Sequence, residues 1–309
     1  MRILVVGAGA IGGYFGGRLL EAGRDVRFLV RARRAEQLRS TGIQIRSPRG
    51  NVDAPAPIIQ AQDLRDTFDL VLLSCKAYDL PGAMDSLAPA VGPYTAILPL
   101  LNGMRHLDLL EQRFGPASVL GGQCVISTTL DDDGRILHLN DTHSLSFGER
   151  DGSATTRIDR IASAFAGANF DSRASTAILQ EMWDKWVFIA AGAGITCLMR
   201  GTIGDIVAAG AADLASSLLA ECATIATNQR FPPTEAALQR SRALLTAPGS
   251  ALTASMLRDI QRNGRTEADH VLGDLLDRSG EPPNSHSLLR LAYAHLRAYE
   301  AGRTRTQAA

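Results

Sequence analysis

The chain has 309 residues, a length that exceeds one ordinary hydrophobic core and suits two domains. Its 32 basic side chains balance its 32 acidic ones, so the net charge gives no reason to expect a nucleic acid or a membrane surface as partner. The longest apolar runs, such as residues 96–101, are far too short to span a bilayer, and Met1 leads into a predicted strand without the features of a signal peptide. We therefore expect a cytoplasmic protein.

Neither the cysteines nor the histidines predict a metal site. The four cysteines lie far apart in apolar stretches, which favours buried thiols in a reducing compartment over disulfides. The six histidines are scattered, with no zinc-ligand spacing and no evident nucleophile partner. We expect no metal, and a hydrolase triad is not indicated.

The first half of the chain alternates short apolar runs with helical stretches. The runs at residues 3–6, 26–30, 70–73 and 96–101 lack polar alternation, which is typical of parallel strands covered on both faces. Between the first two runs, residues 12–22 carry apolar side chains at helical spacing. This pattern predicts a β-α-β unit.

The pattern changes further along the chain. Residues 119–147 predict antiparallel hairpins, broken at residues 131–134 and 140–141. After Phe170 almost everything reads as alanine-rich helix, with breaks near residues 231–233, 248–249 and 281–283. We predict an α/β protein with an N-terminal Rossmann dinucleotide-binding domain at residues 1–170 and an all-α domain at residues 171–309.

A glycine-rich motif joins the first strand to the first helix. It consists of Gly7, Ala8, Gly9, Ala10, Ile11 and Gly12, a G-x-G-x-x-G pattern. The first glycine permits a tight turn, the second lets the backbone approach a pyrophosphate, and the third lets the helix pack on the strand. The pyrophosphate then meets the free N–H groups of the helix N-terminus.

The end of the second strand discriminates NAD from NADP. No acidic residue stands there to bind a ribose 2′-hydroxyl, and the sequence instead has Arg31, Arg33 and Arg34. Guanidinium groups suit a 2′-phosphate, and Arg31 is the best single candidate. The alternative is a solvated run of charge at a helix start, which is the favoured interpretation for Arg33 and for Arg34 taken individually. The cluster as a whole predicts NADPH.

Two polar residues follow strands at the ligand-binding edge of the predicted sheet. Lys76 follows the run at residues 70–73, and Asn102 follows the run at residues 96–101. Each is equally well explained as a plain loop residue, but their shared edge favours a role in ligand binding.

Further candidates lie in the second half. Lys185 stands between two tryptophans on a predicted helix, where it is either a proton donor or a lysine that extends along the helix surface. Ser255 and Glu267 are another pair of polar candidate residues, separated in the chain by a predicted turn at Asn263. Thr266 can cap the helix that carries Glu267, and capping alone would also explain this segment.

Taken together, five patches resemble the ketopantoate reductase (2-dehydropantoate 2-reductase) family, in the correct order and over essentially the whole chain. The patches are residues 7–12, 74–77, 101–104, 183–185, and 255–259 followed by 265–267. The resemblance implies a C-terminal domain like that of 6-phosphogluconate dehydrogenase, and an NADP-dependent oxidoreductase acting on CH–OH and C=O groups in pantothenate biosynthesis.

The resemblance also implies roles for the candidate residues. The glycine motif and Arg31 hold NADPH, Lys76 and Asn102 lie between cofactor and substrate, and Lys185 protonates the carbonyl oxygen. Ser255 and Glu267 help to fix substrate and cofactor in a cleft between the domains. The expected partner is a small keto acid, with the chain a monomer or homodimer.

One departure concerns the substrate. The family carries asparagines four and eight residues after the catalytic lysine, where this chain has Ile189 and Ala193, and a third family asparagine has no match near Ile203. At about 100° per residue, both positions share the helix face of Lys185. An apolar residue cannot bond a substrate hydroxyl, which leaves a different, less polar keto acid or carbonyl compound as an open alternative. A non-catalytic NADP(H) sensor is a second alternative, and a hydroxyacid or imino-acid dehydrogenase on the same architecture is a third.

Overall fold

The computed structural model describes residues 1–280 and 287–308, so the predicted break at residues 281–283 and His286 lie outside the described residues. The chain forms two compact units. Unit 1 comprises Met1–Leu101 and His106–Leu179, and unit 2 comprises Asn102–Arg105 and Gln180–Ala309.

Unit 1 contains all the strands of the described chain. In chain order they are β1 (Arg2–Val6), β2 (Asp25–Leu29), β3 (Ile43–Arg46), β4 (Val52–Ala54), β5 (Ile58–Ile59), β6 (Leu70–Leu73), β7 (Ala96–Pro99), β8 (Gly121–Leu130), β9 (Ile136–Gly148) and β10 (Asp171–Ala174). Its helices are α1 (Ala10–Glu21), α2 (Ala32–Thr41), α3 (Leu80–Leu87), α4 (Arg105–Phe114, whose first residue groups with unit 2) and α5 (Thr156–Phe165).

The first sheet of unit 1 is parallel, with strand order β5-β2-β1-β6-β7. Every residue of β6 and β7 is buried, as expected for apolar runs covered on both faces. The prediction of a Rossmann-type α/β domain with four parallel strands in these runs is confirmed.

The second sheet has the order β10-β9-β3-β4, with β8 paired to β9. The antiparallel pairing of β8 with β9 confirms a hairpin, and its turn falls at the predicted residues 131–134. The predicted break at residues 140–141 is wrong, because these residues lie inside β9. The ladder shifts register there, and Asn140 Oδ1 accepts the backbone N–H of Ser127 at 3.1 Å, so the strand bulges without ending.

Helix α1 packs against both sheets through glycines. A Cβ on Gly16 would lie 2.6 Å from the ring of Phe28 in the first sheet. A Cβ on Gly17 would lie 2.7 Å from the side chain of Ile45 in the second sheet. Such separations are too short for real carbon contacts, so the absence of side chains lets this helix fit between the two layers.

Two histidines have structural roles in the second sheet. His138 and His143 on β9 are buried and stack with ring centroids 5.7 Å apart. The Tyr14 hydroxyl is hydrogen-bonded to His143 Nδ1 at 2.7 Å, and Ser47 Oγ to His138 Nδ1 at 2.8 Å. Each buried ring therefore has a polar partner. Within the described residues, no group of three or more His, Cys, Asp or Glu side chains is arranged to hold a metal ion.

The described part of unit 2 is helical. It contains α6 (Ile178–Met199, which begins in unit 1), α7 (Ile203–Ala208), α8 (Ala212–Asn228), α9 (Glu235–Leu245), α10 (Ser255–Gln261), a π-helical turn (Asp269–Gly273), α11 (Asp274–Asp277) and α12 (Leu288–Ala308). The predicted breaks at residues 231–233 and 248–249 fall between helices and are confirmed. Across the described ranges, none of the helices combines the length and apolarity needed to cross a bilayer.

The cysteines are free thiols. Cys124, Cys197 and Cys222 are buried, as predicted, but the prediction is wrong for Cys75, which is only half-buried. Cys75 lies just beyond the end of β6, where the apolar strand gives way to a loop.

Candidate functional site

The glycine-rich motif forms the turn between β1 and α1. Gly7 takes φ +90°, a conformation that favours glycine, and its N–H donates to the carbonyl of Leu29 at 3.0 Å. No side chain caps the first turn of α1, and that turn carries no acidic residue. The free backbone N–H groups and the positive end of the helix dipole therefore favour an anion here.

The other two glycines of the motif have different surroundings. A Cβ on Gly12 would lie 2.0 Å from Ser74 Oγ and 2.2 Å from the carbonyl oxygen of Gly7. A Cβ on Gly9 would have no atom within 4 Å. Gly12 is thus required by the packing of helix on strand, whereas Gly9 presents open backbone. This arrangement fits a pyrophosphate approaching at Gly9.

The end of β6 lies beside this turn. Ser74 Oγ is 3.1 Å from the carbonyls of both Val6 and Gly7, to which its hydroxyl can donate. Lys76 follows two residues later, half-buried, at the start of the 3₁₀ turn Ala77–Asp79. Lys76 therefore lies at the carboxyl edge of the parallel sheet of unit 1, and its role in ligand binding stays a prediction.

The three arginines after β2 differ in their surroundings. Arg31 is exposed and pairs with Asp79 at 3.0 Å, and Arg33 is exposed. Arg34 is half-buried and donates from Nε to the carbonyl of Ala8 and from Nη1 to the carbonyl of Gly134, each at 3.0 Å. The interpretation of Arg34 as a solvated charge is wrong. Burial lowers the pKa of this guanidinium from its ordinary value.

Lys185 lies on α6 within a half-buried stripe. Lys185, Phe188, Ile189 and Gly192 are half-buried, and they recur at the three- and four-residue spacing that makes one helix face. Ile189 therefore shares the face of Lys185. Ala193 is 5% exposed and so is more deeply buried than the residues of this stripe, and its predicted contact with a substrate stays a prediction.

The neighbours of Lys185 hold its helix in place. Trp186 donates from Nε1 to the carbonyl of Val271 at 2.9 Å, and Trp183 stacks on Phe231 with ring centroids 5.5 Å apart. Asp184 accepts the backbone N–H and the hydroxyl of Thr234, at 3.1 and 2.8 Å. These three positioning contacts were not predicted.

The segment that carries Ser255 and Glu267 includes a tight turn. Ser255 is the exposed first residue of α10, and Asn263 takes φ +54° just beyond the end of that helix, which confirms the predicted turn. Thr266 was expected to cap the following helix. Instead it donates its backbone N–H and its hydroxyl to Glu300 Oε1, at 2.6 and 2.8 Å. Glu267 follows directly and is half-buried.

His270 is a further residue of this region that the sequence did not single out. It lies in the π-helical turn, is 6% exposed, and its ring is hydrogen-bonded to the backbone of Asn102. Gly103 takes φ +80°, and a Cβ there would lie 2.8 Å from the carbonyl oxygen of His270 and 3.2 Å from its ring carbon Cδ2. A glycine at 103 is thus needed for this close approach, which is the one signal of the contact that the sequence contains.

The π-helical turn therefore joins two candidate patches of unit 2. Its His270 holds the loop of Asn102, and its Val271 accepts the hydrogen bond from the helix of Lys185. π-helical turns are rare and are frequent at functional sites. The turn follows Glu267 by one residue, so a third candidate is adjacent in the chain.

Comparison with known proteins identifies the family. Residues 3–152 match the model "Ketopantoate reductase PanE/ApbA", and residues 177–300 match "Ketopantoate reductase PanE/ApbA C terminal". A protein of Bacillus subtilis (strain 168), named uncharacterized oxidoreductase YkpB, is 39% identical over 97% of this chain and 99% of its own. The chain belongs to the ketopantoate reductase family.

Solved structures agree with this placement. The 2-dehydropantoate 2-reductase of Geobacter metallireducens GS-15 is 25% identical, with a TM-score of 0.86 over 96% of this chain and 99% of its own. A D-mandelate dehydrogenase solved with NADH and anilino(oxo)acetate is 19% identical and shares the fold, with a TM-score of 0.88 over 98% of this chain and 100% of its own. Ketopantoate reductases are pyridine-nucleotide-dependent oxidoreductases, and the predicted parallel sheet with a C-terminal helical domain is confirmed.

An added methyl group should have different effects at Gly12 and at Gly9, on stability at the first and on nucleotide binding at the second. Gly12→Ala introduces a clash with backbone, so we expect a loss of about 1–3 kcal/mol and a melting temperature lower by several degrees. Gly9→Ala should melt like the unmodified protein yet bind dinucleotide more weakly, because its Cβ meets only the space left for the ligand. Thermal unfolding and nucleotide titration measure the two effects. Equal melting temperatures for both variants would contradict the packing argument.

His270 predicts a pH-dependent stability of unit 2. Burial lowers its pKa from 6.5 to about 4, so between these values the unfolded chain binds a proton that the folded chain does not. Stability should therefore fall as the pH drops from 6.5 towards 4, by roughly 3 kcal/mol in full. His270→Phe lacks this titration.

Urea unfolding followed by the fluorescence of Trp183 and Trp186, both in unit 2, measures the effect. The difference in the free energy of unfolding between wild type and His270→Phe should shrink as the pH falls. A difference that stays constant would show that His270 does not titrate in this way.

Proposed function

We propose that this ketopantoate reductase relative reduces a 2-keto acid to the 2-hydroxy acid, with NADPH as hydride donor and Lys185 as proton donor. One observation carries the proposal. Lys185 is half-buried on a helix whose adjacent residues, Asp184 and Trp186, are each fixed by hydrogen bonds to other segments of unit 2. A proton donor needs such a fixed position to act on one atom of a substrate.

The chemistry divides between cofactor and protein. The bound nicotinamide would supply the hydride to the carbonyl carbon. Lys185 gives its proton to the carbonyl oxygen, so that one hydride and one proton convert C=O to CH–OH. A cation at this position also stabilises the negative charge that develops on the oxygen. Glu267, Ser255 and Asn102 would fix the substrate and the cofactor.

The substrate proposed is less polar than ketopantoate. Ile189 shares the half-buried stripe of Lys185 and offers no hydrogen bond to a substrate hydroxyl. A hydroxyl left unpaired in a binding site costs about 1–3 kcal/mol. We therefore propose a 2-keto acid with an apolar side chain. Ketopantoate itself, the substrate that would imply a role in pantothenate biosynthesis, is expected to be mediocre at best.

A non-catalytic NADP(H) sensor is the second candidate, favoured by the apolar Ile189 and Ala193. NADPH binding without turnover of any carbonyl compound would support it, and robust turnover would eliminate it. For the chain as a whole we propose a cytoplasmic monomer or homodimer with no membrane or nucleic-acid partner. The buried free thiols of Cys124, Cys197 and Cys222 support a reducing compartment.

Lys185→Ala tests the proton donor. NADPH oxidation is measured with a panel of 2-keto acids that includes ketopantoate, 4-methyl-2-oxopentanoate and phenylglyoxylate. We expect kcat with the best substrate to fall about 100-fold or more, because general acid catalysis contributes roughly 10²–10⁴-fold. The Kd for NADPH should not change. A variant that turns over as fast as wild type would refute the assignment.

Ile189→Asn tests the substrate preference. An amide on the face of Lys185 can bond a substrate hydroxyl, so kcat/KM for ketopantoate should rise about tenfold relative to 4-methyl-2-oxopentanoate. Ile189→Val is the matched control, because it changes volume without adding a polar group. If the ratio of the two kcat/KM values is unchanged in Ile189→Asn, Ile189 does not contact the part of the substrate that differs between the two acids.

Arg31→Ala tests the choice of nucleotide. Arg31 is the exposed guanidinium proposed to bind the 2′-phosphate, so the variant should lose about tenfold in affinity for NADPH and little for NADH. Arg33→Ala is the control, since Arg33 is an equally basic and exposed neighbour. Fluorescence titration with both nucleotides gives the ratio. Equal losses for the two would contradict a 2′-phosphate contact at Arg31.

A further inference from the structure

The turn of the long hairpin in unit 1 is a rigid unit. The backbone N–H of Asp131 donates to the carbonyl of Arg135 at 3.0 Å, and the Arg135 side chain pairs with Asp131 at 2.7 Å and with Asp133 at 2.9 Å. Gly134 takes φ +77° within this turn. Its backbone and side chains thus brace one another on the surface of unit 1.

Helix α2 contacts this turn through two side chains. Gln37 donates from Nε2 to the carbonyl of Asp133 at 2.6 Å, and Arg34 donates from Nη1 to the carbonyl of Gly134 at 3.0 Å. A Cβ on Gly134 would lie 2.2 Å from Gln37 Nε2, so a side chain at 134 would displace the Gln37 amide from the turn. At φ +77° an L side chain would also strain the backbone of the turn.

The same guanidinium reaches the nucleotide loop. Arg34 Nε donates to the carbonyl of Ala8 at 3.0 Å, and Ala8 is 2% exposed between two glycines of the motif. A peptide group is planar, so the orientation of the Ala8 carbonyl also determines the direction of the Gly9 N–H, which points the opposite way. Gly9 is the residue whose backbone is open to a ligand.

From these contacts we propose that Arg34 is a positioning residue for dinucleotide binding, which orients the Ala8–Gly9 peptide and is itself held by the hairpin turn at residues 131–135. The inference rests on the proposed dinucleotide site and adds a residue and a remote support to it. Arg34 holds the loop ready for the pyrophosphate, so the bound state requires less ordering. Its contribution should be the same for NADPH and NADH, since both carry the same pyrophosphate.

A direct contact with the 2′-phosphate is the competing role. Arg34 Nη2 is buried and has no hydrogen-bond partner among the described residues, which leaves one donor for another acceptor. A 2′-phosphate contact would favour NADPH alone. The ratio of the two affinities therefore distinguishes the roles.

The experiment titrates wild type, Arg34→Ala and Arg31→Ala with NADPH and with NADH, following nucleotide fluorescence. Arg34→Ala should lose about tenfold in affinity for each nucleotide, because hydrogen bonds from a charged donor are among the stronger ones. Arg31→Ala should lose affinity for NADPH selectively. With the best substrate, the effect of Arg34→Ala should appear in the KM for NADPH much more than in kcat, a split that a general structural defect would not produce.

A second variant changes the hairpin turn that supports Arg34. Gly134→Ala keeps the Arg34 side chain but displaces the Gln37 amide and strains the turn at φ +77°, so affinity for both nucleotides should fall in parallel. Asp132→Ala, an exposed change in the same turn, is the matched control and should bind like wild type. Circular dichroism and thermal unfolding establish that each variant is folded.

Three outcomes would overturn the inference. A loss confined to NADPH in Arg34→Ala would make Arg34 a ligand of the 2′-phosphate. Wild-type affinity in folded Arg34→Ala would show that Arg34 has no role in nucleotide binding. Wild-type affinity in Gly134→Ala would show that the hairpin turn does not support Arg34 in that role. If wild type itself binds neither nucleotide, the proposed function fails first, and that result is distinct from a failure of the variants.

Discussion

The sheet unit of this protein depends on the absence of a side chain at residue 12. Helix α1 can begin four residues after β1 ends only if Gly12 lies against Ser74 and the carbonyl of Gly7. The same helix must then pass between two sheets, which Gly16 and Gly17 permit. This close packing allows the short turn and leaves the N-terminus of α1 open to an anion, beside the end of β6.

In the helical unit, the candidate segments are connected by buried hydrogen bonds. Its candidate residues come from distant parts of the chain, and these bonds to backbone groups connect the segments that carry them. Trp186 bonds the carbonyl of Val271, and the ring of His270 is bonded to the backbone of Asn102. Because acceptor and donor are buried, losing either partner leaves a polar group unsatisfied. These bonds therefore fix the relative positions of the segments.

The sequence predicted what is encoded locally. The G-x-G-x-x-G motif, its flanking strand and its helix lie within the first 21 residues, so their spacing suffices to recognise the turn. The contacts of Arg34 were missed, because its two carbonyl acceptors are 26 and 100 residues away in sequence and depend on the register of a hairpin. The bulge at Asn140 was mistaken for a break, since a polar pair inside a strand looks like a turn until its side chain is seen to bond Ser127. His270 was missed because a π-helical turn has no periodic pattern to reveal it.

The division of the chain has a consequence for its modularity. Residues 102–105 group with the helical unit although the chain before and after them builds the sheet unit. A helical domain transplanted or expressed from Gln180 onward would lack Gly103 and Asn102, and so would lack the backbone on which the His270 ring lies. The two units are thus not interchangeable building blocks. A recombinant of two relatives joined at residue 180 would take residues 102–105 from one parent and the rest of the helical unit from the other.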